Sequence, residues 1–482
     1  MYFPIIGLEI HLELKTKHKM FCYCKNDPLA KEPNLNVCPI CLGYPGTLPL
    51  INQEAILKVI KTGLALSCQI NRESFFERKN YFYPDLPKGY QISQYHKPIC
   101  FDGHLDFFCE EEKKRIRIQR IHLEEDTGRL LHYKDFSLID FNRAGVPLME
   151  LVTFPDFRSA KEARIFAQEL QLILKYLDVS EADMEKGQMR IEVNLSLAEK
   201  ENSLGTKVEI KNLNSFWAVE EAIEYEISRQ REVLKNGGKI FQETRGFDPE
   251  KKITFLQRKK EYSQDYRYFP EPDLPAFEIP EDLIEKLRHE IPPLPLQERE
   301  RLKNNYQLQD WEIEFLLKNR EIKDYFDFNF ENLKSILKKE DLSNEEKRVF
   351  SNYFFSEFLN VLKEKEEKKN QILSQPSFAK FISLVIEKKL NSFSAKKILR
   401  ETFLENKDPL EIFGLLEKER KEPSLSLNDI VLKVIQENLQ AVQDFKKGKK
   451  GALQFLIGQV MKETKGVFDP QTIKKEIERH LA

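Results

Sequence analysis

The chain has 482 residues, which is too long for one hydrophobic core and predicts roughly two to four domains. Hydrophobic residues make up 41% and charged residues 32%, which fits a soluble globular protein, and no apolar run approaches the length needed to cross a bilayer. The net charge of −2 excludes a general polycation, so any nucleic-acid contact must use a local patch. No signal peptide or Arg-rich leader is visible at the N-terminus, and we expect a cytoplasmic protein.

The first part of the chain predicts strands with some helices between them. Apolar and polar residues alternate in GLEIHLEL, RIRIQRIHLE, RIEVNLSL and TKVEIKNL. Helical periodicity covers residues 159–177 and 215–234, and the second helix is followed by the helix-terminating signal Asn-Gly-Gly at 236–238. We therefore predict an α+β fold in which residues 1–290 form a mostly antiparallel sheet with flanking helices.

The segment IPPLP at residues 291–295 marks a boundary, because the chain after it is rich in Lys and Glu with helical periodicity. Polar sequence around Pro423 suggests a further division, so we predict an all-α domain over 291–405 and a helical tail domain over 406–482. Residues 441–482 hold eight Lys and one Arg against five acids, a net of +4. A lysine run is usually a solvated face, but this one could also contact a phosphate backbone. Its lysines are Lys446, Lys447, Lys449 and Lys450.

Four of the seven cysteines cluster as C-x-C and C-x-x-C, thirteen residues apart. Close pairs on two turns are typical of a tetrahedral Zn²⁺ site, and the alternative is four buried free thiols. With sulfur at all four positions the site would be closed, and hence structural. The predicted zinc-binding insert near residues 22–41 uses Cys22, Cys24, Cys38 and Cys41.

Several predicted strands carry charged side chains on one face and apolar side chains on the other. In the segment 115–125 the apolar positions change parity, which predicts a β-bulge near Gln119-Arg120 and puts His122 and Glu124 on one face. A solvated sheet face is the simpler explanation, whereas carboxylates among cations also suit Mg²⁺ and a triphosphate. Because neither a P-loop nor a G-x-G-x-x-G motif occurs, a nucleotide site would have to be built on strands. The polar residues of the other faces are Glu9, His11, Glu13, Arg190, Glu192, Asn194, Lys207, Glu209 and Lys211.

Residues 78–95 and 265–273 are proline-braced segments rich in aromatic and basic residues. Such rings can stack unpaired bases while the cations hold phosphates, although the composition slightly favours an ordinary loop whose rings pack on the core. The first segment includes Lys79, Tyr81, Tyr83 and Lys88, and the second has the sequence DYRYFPEPD.

The segments GLEIHLEL, RKNYFYPDLPKGYQISQY, IHLEEDTG, DFNRAGVPLMELV, VEIKNLNSF and QETRGFD make the chain resemble GatB, the carboxylate-activating component of the tRNA-dependent amidotransferase. The resemblance implies a heterotrimer with the glutaminase GatA and the linker GatC, and neither membrane nor DNA among the partners. It implies that ATP phosphorylates the side-chain carboxylate of Glu-tRNA(Gln) or Asp-tRNA(Asn). Ammonia from glutamine then displaces the phosphate.

The resemblance also implies which residues of this sequence occupy the family's functional positions, and most of them are polar or aromatic residues named above. Catalytic positions would be Glu9, His11, Lys79, Glu124 and Glu209, of which all but Lys79 would hold Mg²⁺. ATP would contact Lys79, Glu192, Lys207 and Arg245. The misacylated tRNA would contact Tyr81, Tyr83 and Lys88 at its acceptor end and the four tail lysines elsewhere.

The sequence departs from the family pattern at three points. Glu192 stands where Asp is frequent, Phe154 stands where Glu is frequent, and the Phe-Gly that often follows the first cysteine pair is absent. Some relatives lack the cysteines, so zinc would not be essential to the reaction. Two other hypotheses are a non-catalytic scaffold that presents the tRNA acceptor end and the archaeal relative GatE, for whose inserted domain the chain has no room.

Overall fold

The computed structural model describes residues 2–200, 203–259, 265–364, 367, 369, 376–421, 426–464 and 468–481. It forms two compact units, Met1–Gln297 and Glu298–Ala482. The first unit combines strands with helices, and the described residues of the second are helical. The predicted α+β fold class is therefore confirmed, while the domain limits at residues 290 and 405 stay predictions.

The described strands of the first unit are β1 (Phe3–Glu13), β2 (Gln69–Ile70), β3 (Glu73–Ser74), β4 (Glu77–Asn80), β5 (Tyr90–Ser93), β6 (Cys100–Cys109), β7 (Glu112–Glu125), β8 (Arg129–His132), β9 (Ser137–Asp140), β10 (Pro147–Thr153), β11 (Met189–Ala198), β12 (Val208–Leu213), β13 (Glu243–Asp248), β14 (Ile253–Lys259), β15 (Phe269–Pro270) and β16 (Phe277–Glu278). Nine of them form the main sheet, with the order β14-β13-β12-β11-β1-β10-β7-β6-β2. Neighbouring strands in it are antiparallel, apart from the parallel pair β12 and β13. Smaller sheets pair β15-β4-β5, β16-β3 and β8-β9.

The described helices come in two groups along the chain. In and at the end of the first unit they are α1 (Gln53–Ala65), α2 (Ala160–Tyr176), α3 (Phe216–Lys235), α4 (Glu281–His289) and α5 (Pro295–Tyr306). In the second unit they are α6 (Asp310–Lys318), α7 (Arg320–Leu337), α8 (Asn344–Tyr353) with a π-helical turn at Phe354–Phe358, α9 (Leu359–Glu364), α10 (Ser377–Ile386), α11 (Ser392–Glu405), α12 (Pro409–Lys421), α13 (Leu427–Glu437), α14 (Leu439–Lys446), α15 (Lys450–Glu463) and α16 (Pro470–Leu481).

The two helices predicted in the first part of the chain are confirmed as α2 and α3. Each begins after a serine, Ser159 or Ser215, whose hydroxyl accepts a hydrogen bond from a backbone N–H of the first turn. This side-chain acceptor satisfies one of the donors that a helix start leaves unpaired. The apolar positions of the α2 pattern are buried as expected, at Ala163, Phe166, Leu170, Ile173 and Leu177.

The main sheet has one apolar and one polar face. Helices α1, α2 and α3 pack on the apolar face, where Ile10, Leu151 and Ile191 join a single hydrophobic core with Phe166 and Ala222. Since side chains alternate along a strand, the residues between these core positions point to the opposite side. The fold therefore leaves the charged residues of five adjacent strands together on the face that the helices do not cover.

The predicted bulge in β7 is confirmed. Val152 of β10 pairs with Arg120, but the next residue, Thr153, pairs with Ile118, so that Gln119 is the extra residue. Beyond this point β7 turns Ile121 and Leu123 into the core. The intervening His122 and Glu124 consequently face the polar side.

In the second unit, phenylalanines dominate the packing between α7, α8 and α10. Phe326, Phe350 and Phe354 are fully buried with Phe378, and their rings meet mostly edge to face. The helices from α13 onwards share a separate hydrophobic cluster that includes Val431, Leu456, Ile473 and Ile477. Among the helices of the described ranges, none combines the length and apolar character needed to span a membrane.

Candidate active site

Strand pairing lines up charged residues across the polar face. Glu9 lies opposite Glu192 of β11, and His11 lies opposite Glu150 of β10, which is itself opposite His122. Side chains directly opposite one another on neighbouring strands have Cβ atoms about 5 Å apart, within reach of a shared ion. These charged residues are therefore neighbours because their strands are adjacent in the sheet, although they are far apart in the sequence.

The first group of possible metal ligands consists of His11, Glu124 and Glu150, whose ligand atoms lie within 4.8 Å of one another. The His11 Nε2 is 3.4 Å from a Glu150 oxygen and 3.9 Å from a Glu124 oxygen. The Ser93 hydroxyl donates a hydrogen bond of 3.1 Å to the second oxygen of Glu124. We call these three ligand residues the histidine triad.

The second group consists of Glu9, Glu192 and Glu209, whose oxygens also lie within 4.8 Å of one another. The Asn194 amide donates to Glu9 over 2.9 Å, and the Thr244 hydroxyl donates to Glu209 over 2.9 Å. We call this group the carboxylate triad. The four predicted metal ligands thus lie on one face, but the structure divides them between two groups and adds Glu192 to the second.

The pKa values reflect the crowding of negative charge. Burial, followed by the charges of Glu150 and Glu192, raises the pKa of Glu9. Burial alone would lower the pKa of His11, but the hydrogen bond to Glu150 and the surrounding carboxylates outweigh it and raise that pKa to about 9. Without a cation, His11 is therefore protonated near neutral pH, and it must release its proton to act as a ligand.

The donor sets suit divalent cations. The carboxylate triad offers only oxygen, which Mg²⁺ prefers, and the histidine triad adds one imidazole nitrogen. Buried polar atoms that lack a hydrogen-bond partner among the described residues also occur on this face: Arg120 Nε, His122 Nδ1 and Asn194 Oδ1. Unsatisfied buried groups next to clustered carboxylates are typical of a site that binds a ligand.

Glu150 is a residue of this site that the sequence analysis missed. It lies in β10, the one acid of the segment PLMELVT, in which every residue is buried. The signal was present, because an isolated acid inside an otherwise apolar strand is rarely buried without a partner. Burial alone would raise the pKa of Glu150, but the charge of His122 and the hydrogen bond to His11 outweigh it and lower that pKa.

Lys79 extends the site beyond the main sheet. It lies in β4, and its Nζ is 3.8 Å from Glu124 and 5.4 Å from the centre of the Tyr266 ring. Burial would lower its pKa, but the charges of Glu124 and Glu150 raise it. Lys79 is therefore a cation at neutral pH beside Glu124, and its contact with ATP stays a prediction.

The predicted tRNA-contacting residues of the aromatic segment lie in different surroundings. The Tyr81 hydroxyl donates to Gln91 over 3.4 Å, and Tyr83 is exposed. Lys88 forms an ion pair with the buried Glu125, beside a cavity that Cys22 also lines. Tyr83 is thus free to meet a partner, whereas Lys88 is engaged within the protein.

Arg245 is not brought to the polar face. It is buried on the opposite side of β13, where its guanidinium pairs with Glu243 at 2.8 Å and donates to the hydroxyl and carbonyl of Thr254. Strand alternation explains this, because its neighbour Thr244 is the residue that faces Glu209. The structure gives no support to a phosphate contact by Arg245, while Lys207 is exposed just before β12.

The four clustered cysteines meet at one point, with their Sγ atoms within 4.8 Å of one another. A tetrahedral Zn²⁺ needs sulfurs roughly 3.8 Å apart, so small adjustments would complete the geometry. Gly43 supports the turn after the second pair with a φ of +68°, as expected from its type. The other three cysteines, Cys68, Cys100 and Cys109, are buried in the core.

A buried lysine accompanies the cysteine cluster. Lys19 is fully buried, with its Nζ 3.9 Å from Cys41 Sγ and 3.1 Å from the Phe141 carbonyl. The hydrogen bond with Cys22 and the charge of Lys19 outweigh burial and lower the pKa of Cys41. A positive charge at this position offsets the negative charge of thiolates, which supports metal binding over four neutral thiols.

The basic segment of the tail lies between α14 and α15. Lys446, Lys447 and Lys449 are exposed, and Lys449 pairs with Asp444 at 3.0 Å. The side chain of Lys450 lies outside the described residues. These positions agree with a solvated surface, and their contact with tRNA stays a prediction.

Comparison with protein families assigns both units. Residues 4–285 match the model of the GatB/GatE catalytic domain, and residues 334–481 match that of the GatB domain. The chain belongs to the GatB family. The match to the catalytic-domain model includes all the residues of the two triads and the cysteine cluster.

Similar GatB proteins cover the whole chain. Relatives from Caldicellulosiruptor bescii and Thermotoga maritima, each named as the B component of aspartyl/glutamyl-tRNA(Asn/Gln) amidotransferase, are 43% and 42% identical to it. Both alignments cover 100% of this chain and 99% of the relative. The predicted family is confirmed, as is the enzyme class, a component of an amidotransferase and hence of a ligase of protein biosynthesis.

Proposed function

We propose that this GatB protein uses ATP to phosphorylate the side-chain carboxylate of Glu-tRNA(Gln), Asp-tRNA(Asn) or both. Ammonia then displaces the phosphate, which gives Gln-tRNA(Gln) or Asn-tRNA(Asn). The observation that carries the proposal is the presence of two ligand triads on one sheet face beside Lys79. The names of the relatives support the substrate class.

The chemistry needs positive charge at this face, because a carboxylate and ATP repel each other as they approach. The protonated Lys79 supplies one fixed cation, and Arg120, 4.0 Å from Glu150, supplies another. Because these positive charges would already be in place when the phosphoryl group is transferred, they would stabilise the transition state without any rearrangement of the protein. Phosphorylation gives the acyl carbon a good leaving group, which ammonia can replace.

The two triads would hold Mg²⁺, with Glu9, Glu192 and Glu209 in one site and His11, Glu124 and Glu150 in the other. When bound, the ions would offset phosphate charge and orient the triphosphate. Asn194, Thr244 and Ser93 keep the ligand carboxylates in place by hydrogen bonds. The exposed Lys207 would contact the nucleotide at the edge of the site.

The ammonia is proposed to come from a glutaminase, GatA, with GatC as the third member of a cytoplasmic heterotrimer. The relatives are named as one component of an amidotransferase, which supports an assembly with other components. The tRNA would place its acceptor end near Tyr81 and Tyr83 and its body on the lysines of the predicted tail domain over 406–482. Lys88 would join this contact after release from Glu125.

For the cysteine cluster we propose a structural Zn²⁺ bound by all four thiolates. The closeness of the four sulfurs and the buried Lys19 support this proposal. Metal analysis of the gently purified protein should find about one zinc per chain. A clearly substoichiometric zinc content would contradict the proposal.

The decisive experiment for the function is transamidation with both misacylated tRNAs, in the presence of GatA and GatC. ADP formation should depend on misacylated tRNA, and Glu9→Gln and Glu124→Gln should each abolish it while tRNA binding is kept. The matched control is Glu250→Gln, because Glu250 is exposed in the turn between β13 and β14.

Two results would contradict the proposed function. Full activity of both glutamine variants would remove the assignment of the triads. Binding of misacylated tRNA without any tRNA-dependent ADP formation would favour a scaffold that only presents the acceptor end.

A further inference from the structure

A lysine ammonium lies among the oxygens of the carboxylate triad. The Lys211 Nζ is 2.8 Å from an oxygen of Glu192 and 3.4 Å from an oxygen of Glu209. Burial would lower the pKa of Lys211, but the charges of these two carboxylates outweigh burial and raise that pKa. A positive charge therefore already lies between two of the three residues that a divalent cation would use.

A β-bulge in β12 brings Lys211 to this position. The pairing of β11 with β12 changes register between Ile191 and Val193, so that Lys211 and Asn212 both lie opposite Glu192. Asn212 has a φ of +63°, in the left-handed region that asparagine adopts more readily than most residues. Bulges re-aim side chains and are frequent beside active sites. The contact between Lys211 and Glu192 is thus built into the strand pairing and is not a chance meeting of two surface charges.

The lysine beside the histidine triad is held differently. The Lys79 Nζ is 3.8 Å from Glu124, which is longer than a hydrogen bond, and its side chain is 19% exposed. The Lys211 side chain forms the shorter contact but is 38% exposed. Lys79 is thus a fixed charge next to its triad, whereas the Lys211 ammonium lies within its triad and has solvent into which it can move.

A divalent ion and this ammonium cannot both bind the triad at full strength. Mg²⁺ binds oxygen ligands at about 2.1 Å, so an ion on Glu192 would lie within roughly 5 Å of an ammonium that stays on the same carboxylate. Two cations that close repel each other, and they do so more strongly in a partly buried site than in water. The entry of the ion therefore requires that the ammonium moves away.

We propose that Lys211 is a resident counter-ion of the carboxylate triad, which a divalent cation must displace in order to bind. In the metal-free protein the ammonium offsets the repulsion among Glu9, Glu192 and Glu209. The same contacts weaken the binding of a metal ion, because they are broken when the ion enters. Lys211 is thus a positioning residue that sets the metal affinity of this triad. The inference rests on the proposed function only in taking the triad as a metal site.

The test is equilibrium binding of Mn²⁺ to the full chain in complex with GatA and GatC, without ATP or tRNA. Free Mn²⁺ is counted by its electron paramagnetic resonance signal, so the measured quantity is metal affinity and not activity. Lys211→Met removes the charge and keeps an unbranched side chain, while Lys211→Arg keeps the charge. The matched control is Lys15→Met, because the Lys15 Nζ also bridges two carboxylates, at 2.8 Å from both Asp178 and Glu181, which belong to neither triad.

We expect Lys211→Met to tighten Mn²⁺ binding roughly 10- to 100-fold, the usual size of an effect from a residue next to metal ligands. Lys211→Arg and Lys15→Met should bind Mn²⁺ like the unmodified protein. Glu209→Gln locates the effect: it should weaken Mn²⁺ binding, and Lys211→Met should no longer tighten binding in that background. If Lys211→Met does not assemble, Lys211→Gln replaces it, since glutamine is also uncharged but can still donate a hydrogen bond to Glu192.

The inference is overturned if an assembled, uncharged Lys211 variant binds Mn²⁺ with unchanged or lower affinity while Glu209→Gln binds it more weakly. It is also overturned if Lys211→Arg or Lys15→Met tightens binding as much as Lys211→Met, because local charge would then not be the cause. Binding that is unaffected by Glu209→Gln would contradict both the inference and the metal assignment of this triad. If the unmodified protein shows no transamidation but the Lys211 variants behave as expected, only the proposed function is contradicted.

Discussion

Two sets of possible metal ligands lie in the first unit, and they are built in opposite ways. The cysteine cluster uses four residues within a twenty-residue stretch of loops, from Cys22 to Cys41. The two triads use six residues from β1, β7, β10, β11 and β12, which are spread from Glu9 to Glu209. Local spacing in loops brings four sulfurs together, whereas strand pairing brings together oxygen-rich groups from distant parts of the chain.

The two sets of ligand residues also differ in the charges that surround them, and this difference indicates which set supports the stability of the fold and which supports the reaction. The buried Lys19 Nζ lies 3.9 Å from Cys41 Sγ, and a zinc ion bound by all four sulfurs would leave no position open to a substrate. Burial, followed by the charges of Glu150 and Glu192, raises the pKa of Glu9, and a cation bound between these carboxylates would relieve their repulsion. We therefore expect mutations in the sheet to affect the reaction and mutations near the cysteines to affect metal retention and stability.

The largest effect is expected from Glu150→Gln. Loss of one carboxylate from the histidine triad should lower the kcat/KM of transamidation by roughly 10³-fold, because charge stabilisation at the reacting groups is lost. Steady-state kinetics at saturating Mg²⁺ measures this. The control is Asp156→Asn, which removes a carboxylate that pairs with Arg117 just beyond the end of β10. A kcat/KM within about threefold of the unmodified value would exclude Glu150 from the site.

The next effect concerns Asp126, the residue that directly follows β7. It is buried and pairs with Arg190 of β11 at 2.9 Å and with Arg143 at 3.8 Å. Burial opposes its ionisation, but the charges of Arg190 and Arg143 outweigh burial, so the folded pKa lies below the unfolded value of about 3.9. The stabilising contribution is thus present above the unfolded pKa and lost as the pH falls through the folded pKa.

Asp126→Asn should lower the free energy of unfolding by about 3 kcal/mol at pH 7, with a smaller difference near pH 4. Urea unfolding at the two pH values checks this. Asp106→Asn is the comparison, because it breaks a surface pair with Arg115 and should cost only about 1 kcal/mol or less. An equal loss at both pH values would show that charge is not the cause.

A smaller effect is expected at the cysteine cluster. Lys19→Met should lower zinc affinity by about 10- to 100-fold, the usual range for residues next to metal ligands, because the thiolates lose their countercharge. Competition with a chelator measures the affinity. Lys17→Met, at an exposed position two residues away, should leave it unchanged. Unchanged affinity in Lys19→Met would remove the countercharge argument.

The smallest effect is expected from Glu192→Asp, which shortens one ligand of the carboxylate triad by a methylene and restores the residue frequent in the family. Oxygen ligands of Mg²⁺ can be replaced by water, so the Mg²⁺ concentration for half-maximal activity should rise by less than about tenfold. Titration of activity with Mg²⁺ measures this shift. A loss as large as that of Glu150→Gln would mean that the reach of Glu192 is critical.

The sequence by itself determined the elements and the local site. Alternation predicted β1, β7, β11 and β12 with their polar faces. Periodicity predicted α2 and α3, and the parity change predicted the bulge near Gln119-Arg120. The cysteine cluster was predictable because its spacing is short, so two turns suffice to bring the sulfurs together. These features depend on interactions between residues close in the chain.

Only the tertiary structure decided how the carboxylates are grouped. The placement of β1 between β10 and β11 puts Glu9 with Glu192 and His11 with Glu150, and no local pattern contains that strand order. The same order turned Arg245 away from the site, since its register against β12 places Thr244 on the polar face. Sheet register depends on residues that are far apart in the chain. The sequence therefore identified the candidate ligand residues, but only the folded sheet shows which of them lie next to one another.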